Sequence, residues 1–473
     1  MSTGYFLHMA EIINGISDFL WTYIVIAILI GCAVYFTIRT RGVQFRMIPE
    51  MFRVMLGRDS EKDGSGSRIG SFKAFSVSLA SRVGTGNLAG VASAIFVGGP
   101  GAVFWMWVMA FFGAATAFVE ATLAQLYKRH SKSLNSYYGG PAYYMETGLG
   151  APWMGVLFAI LMVFTFSLAN QAVQSNTLTA SLSDTLGVSK YIVAAVIALA
   201  LFLIVSGGIG RITTVVSFMV PFMAVGYLLL SIWIIAANIG QIPDVLRLIV
   251  DNAFGIRQAT GGMVGAAILQ GVKRGLFSNE AGEGSAPNAA AIADTSHPVK
   301  QGLVQALGVF VDTIVICSCT AFIILLSGLY DCGQDGIMLT SAAMESHLGP
   351  VGKYFLSVAI FLFAFSTMIA NYYYGETNIY FIGRKKRWPW YLRIATPVIV
   401  YIGAILELQT TWAMVDLLMA PLTLCNLTAL VLLSRHVFRL LRDYESQKKA
   451  GIKEPRFHRE SLPDIADKLE AWE

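Results

Sequence analysis

Residues 81–90, SRVGTGNLAG, lie inside an apolar run from 71 to 97 that is long enough to cross a membrane, yet they place an arginine, three glycines and an asparagine at its middle. A second run, residues 258–294, contains LQGVKRGLFSNEAGEGSAPNAAA and is too polar and too rich in glycine for one continuous lipid-facing helix. The chemistry open to such stretches is ion binding. A helix broken in mid-membrane leaves N–H and C=O groups that lipid cannot satisfy, so the break is tolerated only inside protein or beside water. Its freed carbonyls offer hard oxygens to a small cation, and a half-helix N-terminus offers donors and a positive end to a carboxylate. Gly84 and Gly86 permit the break, and Thr85 and Asn87 add polar contacts. GNLAG also fits helix packing through Gly86 and Gly90, and on this segment alone both uses fit equally. The second break favours binding, because Arg82 precedes Asn87 by five residues across Gly84 and Gly86, as Arg274 precedes Asn279 by five across Gly275. A nucleotide loop is excluded, since the glycines miss the G-x-G-x-x-G spacing and no strand precedes them.

Two further stretches carry polar groups into apolar runs. In FAFSTMIANYYYGE, residues 363–376, Ser366 and Thr367 are adjacent hydroxyls. Such hydroxyls often bond the carbonyl one turn back. Beside an unwound helix, two hydroxyls and three carbonyls instead make an all-oxygen shell suited to a hard monovalent cation rather than a transition metal. In NQAVQSN, residues 170–176, Asn170 and Gln174 are four apart and share a helical face. They either join helices by hydrogen bonds or line a polar cavity. The charged residues Arg82, Lys273, Arg274, Glu280, Glu283, Asp312 and Glu376 also fall in these runs, where each is costly and needs a partner or water. For Glu120 and Glu376, near run ends, an ion pair or an interfacial position is expected. Glu280 and Glu283, inside the second break, leave proton coupling or gating open.

The elements that must position these residues follow from composition. Hydrophobic residues make up 55% and charged residues 13% of 473, against roughly 25% charged in soluble domains, and the mean hydropathy is +0.61. The chain reads as an all-α membrane protein, since the alternating strands of a barrel are absent. About eleven crossings are expected, at 18–38, 71–97, 101–127, 152–182, 190–207, 212–237, 258–294, 302–328, 350–382, 391–407 and 411–434. The first has no basic region before it and no cleavage site after it, so it is read as retained. Lys and Arg number eight in 39–74, five in 383–393 and nine in 435–473, but none in 329–349. The positive-inside rule then sets the N-terminus outside and the C-terminus in the cytoplasm, and the net charge of +5 is topological, with no nucleic-acid partner. The five cysteines form no CxxC, so neither a disulfide framework nor a metal motif is expected.

The broken runs are second and seventh of the eleven, so each opens a set of five crossings, and an odd set reverses orientation. That is the pattern of inverted repeats. The expected organisation is an extra N-terminal helix in 1–38, a basic cytoplasmic loop at 39–70, repeats at 71–237 and 258–434, and a cytoplasmic tail at 435–473.

GTGNLAGVASAIFVGGPGAVFWMW, GVKRGLFSNEAGEGSAPNAAA and AFSTMIANYYYGE resemble the alanine or glycine:cation symporter family, the sodium:alanine symporters, over roughly residues 15–445. The resemblance implies a leucine-transporter-type five-plus-five core preceded by one extra helix, in the bacterial inner membrane. It implies that substrate meets Thr85, Gly86, Asn87, Gln174, Phe277, Ser278 and Asn279, with Thr367 and Asn371 alongside. It implies a sodium shell of the Ala80, Val83 and Phe363 carbonyls with the Ser366 and Thr367 hydroxyls. Two positions depart from the family pattern. Asn371 stands where the family usually has a bulky aromatic, so a substrate larger or more polar than alanine, such as serine or glutamine, is expected. Glu283 stands where the family commonly has Met.

The expected function is therefore sodium-coupled symport of a small neutral amino acid (alanine, glycine, serine or glutamine) by alternating access, with Na⁺ co-transported, no organic cofactor and no oligomer required. A proton-coupled transporter on the same fold is the alternative. The six histidines fall in loops or at segment edges and no catalytic constellation is visible, so the chain is not read as an enzyme. A continuous pore fits the paired breaks less well than occlusion does.

Overall fold

The computed structural model describes residues 15–57, 69–131, 136–255, 261–383 and 388–472, and is nearly all helical. Seven described helices are long and apolar enough to cross a membrane: α1 (Gly15–Arg39), α4 (Ala102–Leu126), α5 (Pro152–Leu186), α7 (Gly208–Ala237), α10 (Pro298–Leu326), α11 (Pro350–Gly383) and α13 (Leu408–Lys449). The other four expected crossings coincide with shorter or broken elements. Ser71–Arg82 (α2) and Gly86–Gly98 (α3) form one broken pair. Gly261–Asn279 (α8) and Ala286–Ala290 (α9) form the other. Lys190–Val205 is α6 and Trp388–Ile405 is α12. Parts of the expected basic loops, 58–68 and 384–387, and the expected start of the seventh run at 258 lie outside the described residues.

Burial separates the helices by role. In α11, 72% of the most apolar window is buried, and in α4 and α10 67%, against 28% in α7. Helix α7 turns Phe218, Phe222, Val225, Leu229 and Ile232 outward, an apolar stripe that suits lipid contact. The core triad of α4, α8 and α10 depends on small residues. A Cβ at Gly271 would lie 2.5 Å from the Ala102 carbonyl oxygen, and one at Gly302 would overlap Thr122 Oγ1, so the backbones approach as glycine alone allows.

Four described helices carry a widened π turn: Leu20–Val25 in α1, Gly86–Gly90 in α3, Val163–Asn170 in α5 and Phe310–Cys317 in α10. Such turns shift side chains around the axis and free backbone groups. Hydropathy gives no sign of them.

The tail packs against the bundle. Helix α13 runs past the expected end of its crossing to Lys449, and residues 450–472 then fold back over the basic end of the bundle. Phe457, Leu462, Ile465, Leu469 and Trp472 are buried there. Trp472 Nε1 donates to the Gln125 carbonyl at 3.1 Å, and Lys128 lies 4.6 Å from the indole centroid. Phe457 N–H donates to the Ser296 carbonyl (2.9 Å), and Lys300 pairs with Glu454 (2.5 Å). A short antiparallel hairpin, Arg129–Ser131 with Ser136–Tyr138, sits at the same end.

Candidate functional site

Helix α2 stops at Arg82 because Val83 leaves the helical region (φ −82°, ψ 80°). Gly84 follows, and its N–H turns back to Asn87 Oδ1 at 2.9 Å. A Cβ on Gly84 would overlap Thr367 Oγ1 and lie 3.0 Å from Gln174 Oε1, so α11 and α5 both press on the break. The Thr85 N–H donates to Gln174 Oε1 (3.0 Å), and Gln174 Nε2 donates to Asn170 Oδ1 (2.8 Å). The shared face of Asn170 and Gln174 thus reaches the break itself. A Cβ on Gly86 would lie 3.1 Å from the Phe277 ring and 3.2 Å from Ser278 Cα, whereas one on Gly90 would meet Trp412 at an ordinary 3.7 Å. Close approach therefore requires glycine at 86, where the start of α3 meets the last turn of α8 just before the second break.

The second break starts after Asn279. Glu280, Gly282 and Gly284 take positive φ (56°, 98° and 84°) before α9 begins. Asn279 Oδ1 accepts from the Ala281 N–H (3.1 Å), and its Nδ2 donates to Thr313 Oγ1 (3.2 Å). Ser278 Oγ donates to Asp312 Oδ2 (2.8 Å). Phe277 packs edge-on against Trp412, centroids 4.7 Å apart, and the Arg274 guanidinium lies 4.1 Å over that indole.

Asp312 joins the breaks. Its Oδ1 accepts from Asn87 Nδ2 at 2.6 Å, and its Oδ2 accepts from Ser278 and Thr313, both at 2.8 Å. The residue is fully buried in the π turn of α10. Sequence marks Asp312 as a costly charge but gives it no partner, since Asn87 is 225 positions away.

Four of the five expected ion ligands cluster. Thr367 Oγ1 donates to the carbonyls of Ala80 (2.7 Å) and Phe363 (3.0 Å), and Ser366 Oγ also donates to Phe363 (3.0 Å). Val83 lies at the unwound end of α2, three residues past Ala80. Asn371, one turn beyond Thr367, accepts at Oδ1 from Ser81 Oγ (3.3 Å). Its Nδ2 and Thr85 Oγ1 are buried without a hydrogen-bond partner among the described residues.

The intramembrane charges resolve individually. Glu376 pairs with Arg393 at 2.7 Å, as an ion pair near the run end should. Glu120 does not follow that expectation, because it is fully buried. It accepts from the N–H groups of Gly282 (3.3 Å) and Gly284 (3.2 Å) and from Asn426 Nδ2 (3.0 Å), an internal carboxylate seated in the bent backbone. Arg274 forks onto Asp416 (3.0 and 2.9 Å), and Lys273 reaches Asp18 (2.9 Å). Arg82 donates to the Gln305 carbonyl (3.0 Å), while its Nε and Nη2 have no hydrogen-bond partner among the described residues. Glu283 is buried with Oε1 likewise unpartnered.

The sequence pattern of the Sodium:alanine symporter family matches residues 7–459. The chain belongs to this family. It is 46% identical to the probable sodium/glutamine symporter GlnT of Bacillus subtilis, over 98% of this chain and 96% of that one. It is 48% identical to the amino-acid carrier protein AlsT of the same organism, over 98% and 97%. The fold matches that of a Na⁺-coupled sialic acid symporter with a TM-score of 0.53 at 13% identity, over 95% of this chain and 96% of that chain. This is a multi-pass membrane transporter of the leucine-transporter-type fold that couples amino-acid transport to sodium, and it is not an enzyme.

Proposed function

We propose that the two breaks hold a small neutral amino acid and that sodium binds beside them at the Ala80, Val83 and Phe363 carbonyls and the Ser366 and Thr367 hydroxyls. The observation that carries this is the contact of Gly86 with Ser278, where the helices flanking the two breaks meet, with the buried Thr85 hydroxyl left unpartnered beside it. The α3 N-terminus presents positive backbone ends to a substrate carboxylate. Thr85, Gly86, Asn87 and Gln174 line one side, and Phe277, Ser278 and Asn279 the other. Ordering of the Ala80 and Thr367 oxygens by sodium stiffens the first break, which couples ion to substrate. The repeats span 71–237 and 258–434, the N-terminus is outside, and alternating access rocks one group of helices around the midplane site. A single charge falling through 100 mV contributes about 2.3 kcal/mol, roughly fiftyfold accumulation.

The polar Asn371 amide near this site suits a substrate with a polar side chain, serine or glutamine, and the glutamine named for the relative GlnT agrees. The test is uptake of labelled alanine, glycine, serine and glutamine into proteoliposomes, with and without a sodium gradient, for the natural protein and Thr367→Ala. Sodium-dependent uptake lost in the variant supports the ion site, and strict preference for glycine and alanine would overturn the role of Asn371. The proton-coupled alternative draws on Glu283, buried with an unpartnered oxygen. Sodium-free uptake that follows a pH gradient would favour it.

A further inference from the structure

We propose that Glu280 is a positioning residue for sodium, holding through Ser81 the turn of α2 whose Ala80 carbonyl belongs to the ion shell; this rests on the sodium site proposed above. Glu280 is 1% exposed and takes φ +56°, a region where a side-chain-bearing residue is strained. Two and four residues on, the same bend uses Gly282 and Gly284, at which such a conformation is free of strain. Retaining a glutamate in a place where glycine would relax the backbone means that the side chain is what the position requires.

Both carboxylate oxygens of Glu280 are engaged. Ser81 Oγ donates to Oε1 in a short hydrogen bond, and Ser285 Oγ donates to Oε2 at 2.5 Å. Ser285 lies just before α9, so that bond closes the bend upon itself. The Ser81 bond reaches out of it. Ser81 occupies the last turn of α2, next to Ala80, whose carbonyl accepts from Thr367 at 2.7 Å. The Ser81 hydroxyl also lies 3.3 Å from Asn371 Oδ1, on the helix that carries Ser366 and Thr367. That hydroxyl is thus tied to the second break and lies against α11, while the neighbouring carbonyl belongs to the proposed ion shell. A helix that ends at an unwound segment has no further turn to hold its last carbonyls in place. The Glu280 bond supplies that restraint from another element, and it does so without touching Thr85, Gly86, Asn87 or Gln174.

The test measures sodium activation of uptake in proteoliposomes for the natural protein, Ser81→Ala, Glu280→Gly, the double variant and Glu280→Gln, with Thr367→Ala as the ion-site control. Ser81→Ala and Glu280→Gly are expected to raise the half-saturating sodium concentration by about tenfold, equivalent to about 1.4 kcal/mol. Substrate KM at saturating sodium stays near the natural value, and the double variant is no worse than the poorer single one, because each single variant already removes the Ser81–Glu280 bond. Glu280→Gln keeps an acceptor for Ser81 and lies closest to the natural protein. The proposal is overturned by unchanged half-saturating sodium in Ser81→Ala, by effects that multiply in the double variant, or by a fall in maximal rate alone. If Glu280→Gly does not fold, Ser81→Ala decides the matter by itself. A natural protein with no sodium dependence overturns the ion site and this proposal together, whereas sodium dependence lost in Thr367→Ala but undisturbed in Ser81→Ala overturns this proposal only.

Discussion

At Gly84 the first break packs against α11 and α5. Because a methyl group there would overlap Thr367 Oγ1, Gly84→Ala must push α11 away from α2, and we expect sodium-dependent uptake to fall at least a hundredfold while the protein still inserts, measured by uptake against the amount reconstituted. The buried Arg274–Asp416 fork gives a stability test. Both side chains are at most 10% exposed, so Arg274→Ala leaves Asp416 only the longer Lys273 contact at 3.6 Å and is expected to cost about 3 kcal/mol, whereas Arg274→Leu with Asp416→Leu costs less. Equilibrium unfolding in detergent reads both. At this scale the sequence shows residue types well and partners poorly. Glycines, adjacent hydroxyls and a buried asparagine mark a break and an oxygen shell by chemistry alone. Asp312 and Glu120 show only as charges in apolar runs, because Asn87 lies 225 positions from Asp312, and Gly282 and Asn426 lie 162 and 306 positions from Glu120. Pattern within a helix does not encode contacts between helices.

The helices themselves are legible because spanning lipid requires length and apolar composition, and two breaks betray themselves by breaking that rule. Their π turns are not, since adding a residue to one turn leaves composition untouched; three of the four lie in α3, α5 and α10, whose residues meet at the breaks. The docking of the tail is not legible for a different reason. Charge and proline suggest a solvated segment, but five buried apolar residues spaced along residues 457–472 hold it down. Trp472→Ala should expose it, and we expect limited proteolysis to cut the variant within 450–472 at least tenfold faster than the natural chain. Arg439 donates to Asp464 at 2.6 Å and holds that carboxyl below the ordinary aspartate range. A group whose value is depressed on docking favours the docked state above its free value and ceases to do so as pH falls through the depressed one. Acidification through that window should therefore speed the cleavage, while Asp464→Asn shows the acid-side rate throughout.

For the whole molecule, the proposed orientation can be checked without measuring transport. Among the cysteines Cys32, Cys317, Cys319, Cys332 and Cys425, Cys332 is exposed and the others are buried or partly so. It lies between α10 and α11, at the end of the bundle opposite the basic tail. A membrane-impermeant maleimide added to intact cells should label the protein at Cys332, and Cys332→Ser should abolish most of that label. Labelling that appears only in permeabilised cells would invert the proposed topology. The fold class is readable at this scale because two anomalies five crossings apart have few explanations other than an inverted repeat. The assembled interior is not, since burial of α4, α10 and α11 against lipid exposure of α7 depends on which small residues meet.

The docked tail bears on tempo. Phe457 grips Ser296, Trp472 grips Gln125, and the same segment continues from α13, so three parts of the basic face are bound by a single strap. Should passage toward that face require the strap to lift, its grip would set how long each turnover lasts and leave the equilibrium hold on substrate unaltered. Warming would then quicken the cycle more steeply than diffusion does, and a shortened chain would lose that steepness while keeping its appetite for substrate.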